Sequence, residues 1–163
     1  MNEAARVVDL PARPYVAVAG DVTMETFPEI ADRLPEVFGW LGARGLALAG
    51  PPFFRYVVMG GSGMISVEAG VPLLELPPDV TGVLAGVLPA GRYAATTYVG
   101  HPRGLRDATA RLLTWGREAG LSWDMTQEGD DEHWTARLEL LETDPREQPD
   151  PEQWRTRLEI RTA

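Results

Sequence analysis

The sequence contains no cysteine, and histidine occurs only twice. Without cysteine the chain can form no disulfide, no thiolate nucleophile and no Cys-ligated zinc site, which fits a reducing compartment. No uninterrupted apolar run approaches the roughly 18 residues that a membrane span needs, and no basic segment followed by an apolar one opens the chain as an export signal. We therefore expect a soluble, cytoplasmic protein.

Positive charge is scarce. Lysine is absent, and 15 arginines against 24 acidic residues give a net charge of -9. This charge opposes the phosphate backbone of nucleic acids, so we expect no direct nucleic-acid binding. A cationic small molecule or a basic protein patch would be attracted instead. The length of 163 residues and the hydrophobic content of 44% suit a single globular domain over residues 1–163.

A glycine-rich stretch, Gly60, Gly61, Ser62 and Gly63, invites two catalytic interpretations, and its context favours neither. A phosphate-binding loop needs a lysine and a following helix, whereas this chain has no lysine and continues with the pattern of a strand. A serine nucleophile at Ser62 would also need a strand-to-helix turn. The stretch therefore predicts a hairpin turn.

The two histidines, His101 and His133, fall in a predicted turn and at a predicted strand start. A metal site needs three or four converging ligands, and no His-x-x-x-His or comparable cluster occurs. We expect exposed loop histidines, no metal site and no cofactor.

Two segments with helical spacing end in the same way, with Trp, four residues, Gly and Leu, at residues 40–46 and 115–121. In each, the glycine falls where a helix end needs a residue that tolerates positive φ. The first helix is predicted from Thr26, with Pro35 dividing or kinking it, and the second from Arg103. The two tryptophans have the spacing of core residues, so we assign them to packing.

The other periodic segments have the composition and alternation of strands. They are residues 15–19, 53–59, 64–74, 83–88, 92–99, 134–142 and 155–161. Turn chemistry predicts hairpins that join 53–59 to 64–74 and 83–88 to 92–99. The order gives an α+β domain of two tandem βαββ half-repeats, about 6–76 and 80–163, with helices on one face of antiparallel sheet. A groove between the halves is the expected ligand position.

The strand around Glu139 carries the strongest chemical signal. Alternation separates Ala136, Leu138 and Leu140, which we expect to face the helices, from the opposite set of Arg137, Glu139 and Leu141. In an apolar groove, the carboxylate of Glu139 would favour a cationic guest or act as a general acid or base. On a solvated sheet face, it would instead form a cross-strand pair with Arg157 or Arg137.

In the first half, alternation places Phe54 and Tyr56 on one face of a strand. If a two-fold relates the halves, Tyr56 approaches Glu139 across the groove. A phenol and a carboxylate beside aromatic walls suit flat, partly cationic organic ligands, whereas the alternative is that these aromatics only fill the core. Trp134 and Trp154 lie at strand ends beside acidic loops, where either could gate a groove.

Several stretches, in this order and at these separations, together match the pattern of a known family. They are residues 7–11 (Val-Val-Asp-Leu-Pro), 50–56 (Gly-Pro-Pro-Phe-Phe-Arg-Tyr), 88–94 (Leu-Pro-Ala-Gly-Arg-Tyr-Ala) and 138–145 (Leu-Glu-Leu-Leu-Glu-Thr-Asp-Pro). Over nearly its whole length, the chain resembles the GyrI-like small-molecule-binding domain, the effector-binding domain of AraC-type and MerR-type multidrug-responsive regulators.

The resemblance implies tandem βαββ units around a central groove that binds bulky, often cationic aromatic compounds. Glu139 corresponds to the glutamate that usually faces the ligand in this family, and Tyr56 to the tyrosine after the Gly-Pro-Pro turn. Some relatives are similar to hydrolases that open cyclopropane-bearing toxins with a glutamate and a tyrosine. Many members carry a tyrosine where this chain has Leu141, a departure that leaves hydrolysis open.

We therefore expect a stand-alone protein that sequesters or senses a hydrophobic, often cationic aromatic small molecule. The alternatives are a hydrolase of strained or electrophilic toxins that uses Glu139 and Tyr56, and a gyrase-inhibitor-like module that binds a protein partner. The sequence leaves the oligomeric state open. The expected ligand-binding residues are Glu139, Tyr56, Phe54, Leu141, Tyr93, Trp134 and Trp154.

Overall fold

The computed structural model describes residues 3–163, which form ten strands and three helices. The strands are β1 (Arg6–Leu10), β2 (Arg13–Val22), β3 (Phe53–Met59), β4 (Ile65–Pro72), β5 (Leu84–Leu88), β6 (Gly91–Val99), β7 (Met125–Glu128), β8 (Asp131–Trp134), β9 (Arg137–Leu141) and β10 (Arg155–Arg161). The helices are α1 (Pro28–Ala31), α2 (Leu34–Arg44) and α3 (Leu105–Glu118).

Eight of the strands form a curled antiparallel sheet in the order β1-β6-β10-β9-β3-β4-β2-β5, and the β7–β8 hairpin joins it through β3. The centre of the sheet is the pairing of β3 with β9. Going outward from this pairing, both sides of the sheet follow the same order: the second strand of a β-helix-β-β unit, then its third strand, then its first. These strands are β3, β4 and β2 on one side and β9, β10 and β6 on the other. The α+β class and the tandem βαββ arrangement are therefore confirmed.

The predicted hairpin between residues 83–88 and 92–99 is wrong. β5 pairs with β2, and β6 pairs with β1 and β10. The strand that precedes each half thus lies at the outer edge of the other half. The Pro-Ala-Gly stretch suits a tight turn, but in this structure it forms a corner between β5 and β6. Leu88 and Tyr93, on either side of the corner, both lie inside the curled sheet.

The helices cover one face of the sheet. α1 and α2 pack over β2, β3 and β4 through residues such as Ile30, Val37 and Trp40, and α3 packs over β6 and β10 through Ala108 and Leu112. The opposite face lines the interior of the curl with a helix-free set that we call the inner cluster. Its buried residues are Tyr15, Ala17, Phe53, Leu88, Tyr93, Ala136, Leu138 and Leu140.

The inner cluster corrects the expected orientation of β9. Ala136, Leu138 and Leu140 lie in that cluster and not against the helices, so the face with Glu139 is the one that the helices cover. Alternation separated the two sets of residues correctly. It could not say which set meets the helices, because the curl buries both faces of the strand.

The helix ends match the prediction. Gly45 and Gly120 have φ of 64° and 81°, and the amide of the following leucine donates to the carbonyl five residues earlier in both cases. These Schellman contacts satisfy carbonyls that a helix end leaves free. The region around Pro35 is split into two helices, as predicted, and Trp40 is a core residue with 8% of its surface exposed.

The β7–β8 hairpin was missed. The sequence predicts one strand over residues 134–142, whereas Trp134 ends β8 and β9 begins at Arg137. The hairpin is polar and mostly exposed, so it has no apolar alternation by which to recognise it.

A buried ion cluster lies on the inner side of the sheet. Glu159 is 2% exposed, and its carboxylate accepts from Arg13 Nη1 at 2.8 Å and from Arg157 Nε at 2.6 Å. Glu159 lies opposite Leu138 on β9, so its side chain is on the inner face of the sheet, beside the inner cluster. Removing one member would leave uncompensated charge out of water.

We expect Glu159→Gln to lower the free energy of unfolding by about 3 kcal/mol or more, because two partly buried guanidinium groups lose their buried counter-ion. Glu152→Gln is the matched control, since Glu152 pairs with Arg103 where both side chains are exposed, and should cost less than about 1 kcal/mol. Urea denaturation measures both changes. Equal, small losses for the two variants would contradict a stabilising role for the buried cluster.

Candidate functional site

The candidate site lies at the centre of the sheet, where the two halves join. Phe54 and Glu139 are direct neighbours across the β3–β9 pairing. Tyr56 lies two residues beyond Phe54 and therefore on the same face, and its hydroxyl donates to Glu139 Oε1 at 2.6 Å. The expected approach of Tyr56 to Glu139 is thus present as a hydrogen bond between the halves.

Burial perturbs both groups of this pair. Removal from water raises the pKa of the Glu139 carboxyl above its ordinary value of 4.5, while the Tyr56 hydrogen bond and the nearby Arg137 charge act in the opposite direction. Burial and the adjacent carboxylate raise the pKa of Tyr56 well above its usual range. The phenol therefore remains a proton donor at neutral pH, and the carboxyl takes up a proton more readily than an exposed glutamate.

Phe27, which precedes α1, packs against Phe54 and Tyr56 and was not predicted from the sequence. Its ring lies 5.0 Å from that of Phe54 in an edge-on contact and 6.0 Å from that of Tyr56 in a stacked one. Phe27 packs with the α1–α2 core while remaining partly exposed. The only local signal was an aromatic residue just before Pro28 at the helix start, which does not specify what its ring contacts.

Neither of the two arginines considered as ion-pair partners of Glu139 lies within 4.0 Å of its carboxylate. Arg157 belongs to the inner face, where it binds Glu159. Arg137 shares the face of Glu139, but its guanidinium lies over the ring of Trp134 at 4.8 Å and has its nearest carboxylate at Glu132, 4.0 Å away. The cross-strand ion pair expected for a solvated face is therefore absent, and Glu139 is held by Tyr56.

The remaining predicted site residues are dispersed. Leu141 packs, like Tyr56, against the α1–α2 core. Trp134 is buried beside α3, and its ring supports Arg137. Tyr93 is fully buried in the inner cluster on the opposite side of the sheet, and Trp154 precedes β10 with its indole N–H donating to the Gln148 carbonyl at 2.7 Å. The structure brings Glu139, Tyr56, Phe54 and Leu141 together, but not Tyr93.

The histidines have local roles. The Nδ1 atom of His101 accepts from the backbone amide of Arg103, and His133 lies 3.0 Å from Glu128. Within residues 3–163 no three acidic or histidine side chains converge as metal ligands, and no helix there has the length and apolar character of a membrane span.

Two open depressions lie away from the Tyr56–Glu139 pair. One, of about 190 Å³, runs between α3, β6 and the N-terminal segment, and includes Tyr98, Leu112 and Trp115 in its lining. Another, of about 280 Å³, is an open hollow on α3. At the Tyr56–Glu139 pair itself, the aromatic surface is occupied by Phe27.

A family model described as the GyrI-like small molecule binding domain matches residues 4–162. No curated protein matches the chain in sequence. Among solved structures, EcmrR in its complex with DNA has a TM-score of 0.77 at 15% identity, with 98% of this chain and 57% of that chain covered. The chain therefore spans little more than half of that regulator, and the EcmrR C-terminal domain alone gives a TM-score of 0.75 with 98% of its length covered.

Two further structures share the fold. SAV2435 bound to tetraphenylphosphonium has a TM-score of 0.62 at 12% identity, covering 98% of this chain and 94% of that one. A hydrolase from Listeria innocua has a TM-score of 0.60 at 13% identity, covering 99% and 92%. At these identities the likeness is one of fold.

The Tyr56 hydroxyl should control the protonation of Glu139. We expect Tyr56→Phe to raise the pKa of Glu139 further, because the variant loses the hydrogen bond that favours the carboxylate. A titration of the Glu139 carboxyl carbon by NMR measures this shift. Tyr98→Phe is the control, since that hydroxyl donates to the His101 carbonyl, and a similar shift in both variants would contradict direct coupling.

Proposed function

Because this chain belongs to the GyrI-like small-molecule-binding domain family, we propose that it binds hydrophobic, cationic aromatic molecules at the Tyr56–Glu139 pair and so sequesters or senses them. The observation that carries the proposal is a partly buried carboxylate, held by a phenol and bordered by aromatic rings, with no cation from residues 3–163 bonded to it. We propose Glu139, Tyr56, Phe54 and Leu141 as ligand contacts, joined by Phe27.

The physical argument rests on desolvation. A carboxylate withdrawn from water is costly unless an opposite charge or hydrogen bonds offset the loss. Glu139 has one phenolic hydrogen bond, so a cation placed against it would gain more than the same cation at an exposed glutamate. Aromatic faces attract cations as well. Tetraphenylphosphonium, to which SAV2435 is bound, combines a positive charge with aromatic rings and would suit both features.

Binding requires a place for the aromatic part of the ligand. Phe27 stacks on Tyr56 in the structure, so an aromatic guest at this surface would take over that contact. α1 has only four residues, and Phe27 precedes it. We propose that rearrangement of this short segment admits the ligand.

We expect tetraphenylphosphonium to bind the wild-type protein and to bind Glu139→Gln about tenfold more weakly or worse, because a charge-assisted contact is lost. The ligand cannot titrate. Its affinity should therefore be highest above the raised pKa of Glu139 and should fall as the pH drops through that pKa, whereas the variant should show no such step.

Isothermal titration calorimetry between pH 4 and pH 8 measures this behaviour. Glu142→Gln, an exposed site on the same stretch, makes the same change in net charge and serves as the control. Identical affinities for the two variants, or a pH step that persists in Glu139→Gln, would remove Glu139 from the site.

A second candidate function is hydrolysis of an electrophilic ligand. It is favoured by the raised pKa of Glu139 together with its phenol partner, since a carboxyl whose pKa lies above its ordinary value is better suited to general acid–base catalysis than an exposed glutamate. We expect mass spectrometry of strained, cyclopropane-bearing electrophiles to show hydrolysed product if the pair is catalytic. Product formation that survives Glu139→Gln would exclude this mechanism, and intact ligand bound in stoichiometric amounts supports a binder.

A further inference from the structure

The guanidinium of Arg137 has no hydrogen-bond acceptor among the described residues. Its side chain is 15% exposed, and among residues 3–163 its guanidinium donates no hydrogen bond. The group lies over the Trp134 ring, at 4.8 Å from the centroid, and Trp134 is 5% exposed. A guanidinium carries five N–H donors in a rigid plane. Here a fixed aromatic platform orients those donors while leaving them without a protein acceptor.

The neighbouring carboxylate of Glu132 does not account for this arrangement. It lies 4.0 Å from Arg137 Nη1, beyond hydrogen-bonding distance, and its Oε1 already accepts from the Trp134 indole at 3.2 Å. The Glu132 side chain is also 39% exposed, where an ion pair of this length contributes little.

Arg137 and Glu139 present opposite charges on one face without forming an ion pair. They alternate with Leu138 on β9, so their backbones are separated by about 6.6 Å along the strand. The two groups are nevertheless close enough for the charge of Arg137 to lower the pKa of Glu139 and of Tyr56. Each of the two side chains can thus bind an oppositely charged group of a ligand that lies between or above them.

We infer that Arg137 is a specificity-determining residue, and that the preferred ligand of this site is an aromatic cation that also carries a carboxylate or a comparable anionic acceptor. This inference rests on the proposed binding at Tyr56 and Glu139. Planar guanidinium groups bind carboxylates through two parallel hydrogen bonds, which a cation alone cannot use. A ligand with a cation only would meet Glu139 favourably and Arg137 unfavourably.

Rhodamine B and its ethyl ester test the inference, because they share one cationic chromophore and differ only in the free carboxylate. We expect the wild-type protein to bind rhodamine B more tightly than the ester. Arg137→Gln should weaken rhodamine B by about tenfold to a hundredfold, since a charge-assisted contact is lost, and should leave the ester unchanged or bound more tightly. Fluorescence anisotropy at pH 7.5 gives the four dissociation constants.

Two further variants separate this inference from the proposed function. Glu139→Gln should weaken both dyes by the same factor, because both retain the cation. Arg106→Gln, at an exposed position on α3, makes the same change in net charge as Arg137→Gln and should leave both dyes unaffected. If neither dye binds the wild-type protein, the proposed function and this inference both fail.

If both dyes bind but Arg137→Gln weakens them equally, Arg137 is structural and only the inference is overturned. Melting temperatures show whether each variant is folded. Should Arg137→Gln not fold, Arg137→Lys keeps the charge without the planar fork, and should lose part of the preference for rhodamine B. The ratio of the two dissociation constants of the wild-type protein tests the inference without any variant. Equal binding of the two dyes, or a preference for the ester, contradicts the inference.

Discussion

The pairing of β3 with β9 is the contact on which the rest of the molecule depends. Only three residue pairs form it, yet it joins the two halves into one sheet and lies at the centre of the strand order. The same three pairs set Glu139 against Phe54 and bring the Tyr56 hydroxyl within hydrogen-bonding distance. The register that completes the sheet therefore also assembles the candidate site, and a shift of one residue would turn Glu139 to the other face.

A phenol and a carboxylate are hydrogen-bonded on each face of the sheet, but only one of the two pairs is also bonded to a cation from the described part of the chain. On the inner side, Tyr15 donates to Glu68, and Arg55 donates to the Tyr15 hydroxyl at 2.6 Å, so phenol, carboxylate and cation are bonded to one another. On the helix side, Tyr56 and Glu139 form a phenol–carboxylate pair to which no cation of the described part of the chain is bonded. The inner set is complete within the chain, which suits a structural role. The outer pair remains able to accept a positive charge from another molecule.

Local patterns predicted the strands and helices well, because alternation, helical spacing and the glycine ends at residues 45 and 120 depend on neighbours along the chain. The family resemblance then predicted Glu139 and Tyr56 as ligand contacts. The partner of β5 and the helix-bearing face of β9 could not be read this way, since both depend on how the sheet curls. The contact of Phe27 with Tyr56 and the position of Arg137 over Trp134 follow from tertiary contacts that leave no periodic signal in the sequence.

The exchange of outer strands ties the order of synthesis to the architecture. β1 is made before the other strands, but its partner β6 follows only after the whole first βαββ unit. As the chain leaves the ribosome, β1 therefore has no edge to join, and β3 waits about as long for β9. Neither half can close its sheet alone, so the N-terminal half of a nascent chain exposes unpaired backbone until most of the protein has been made.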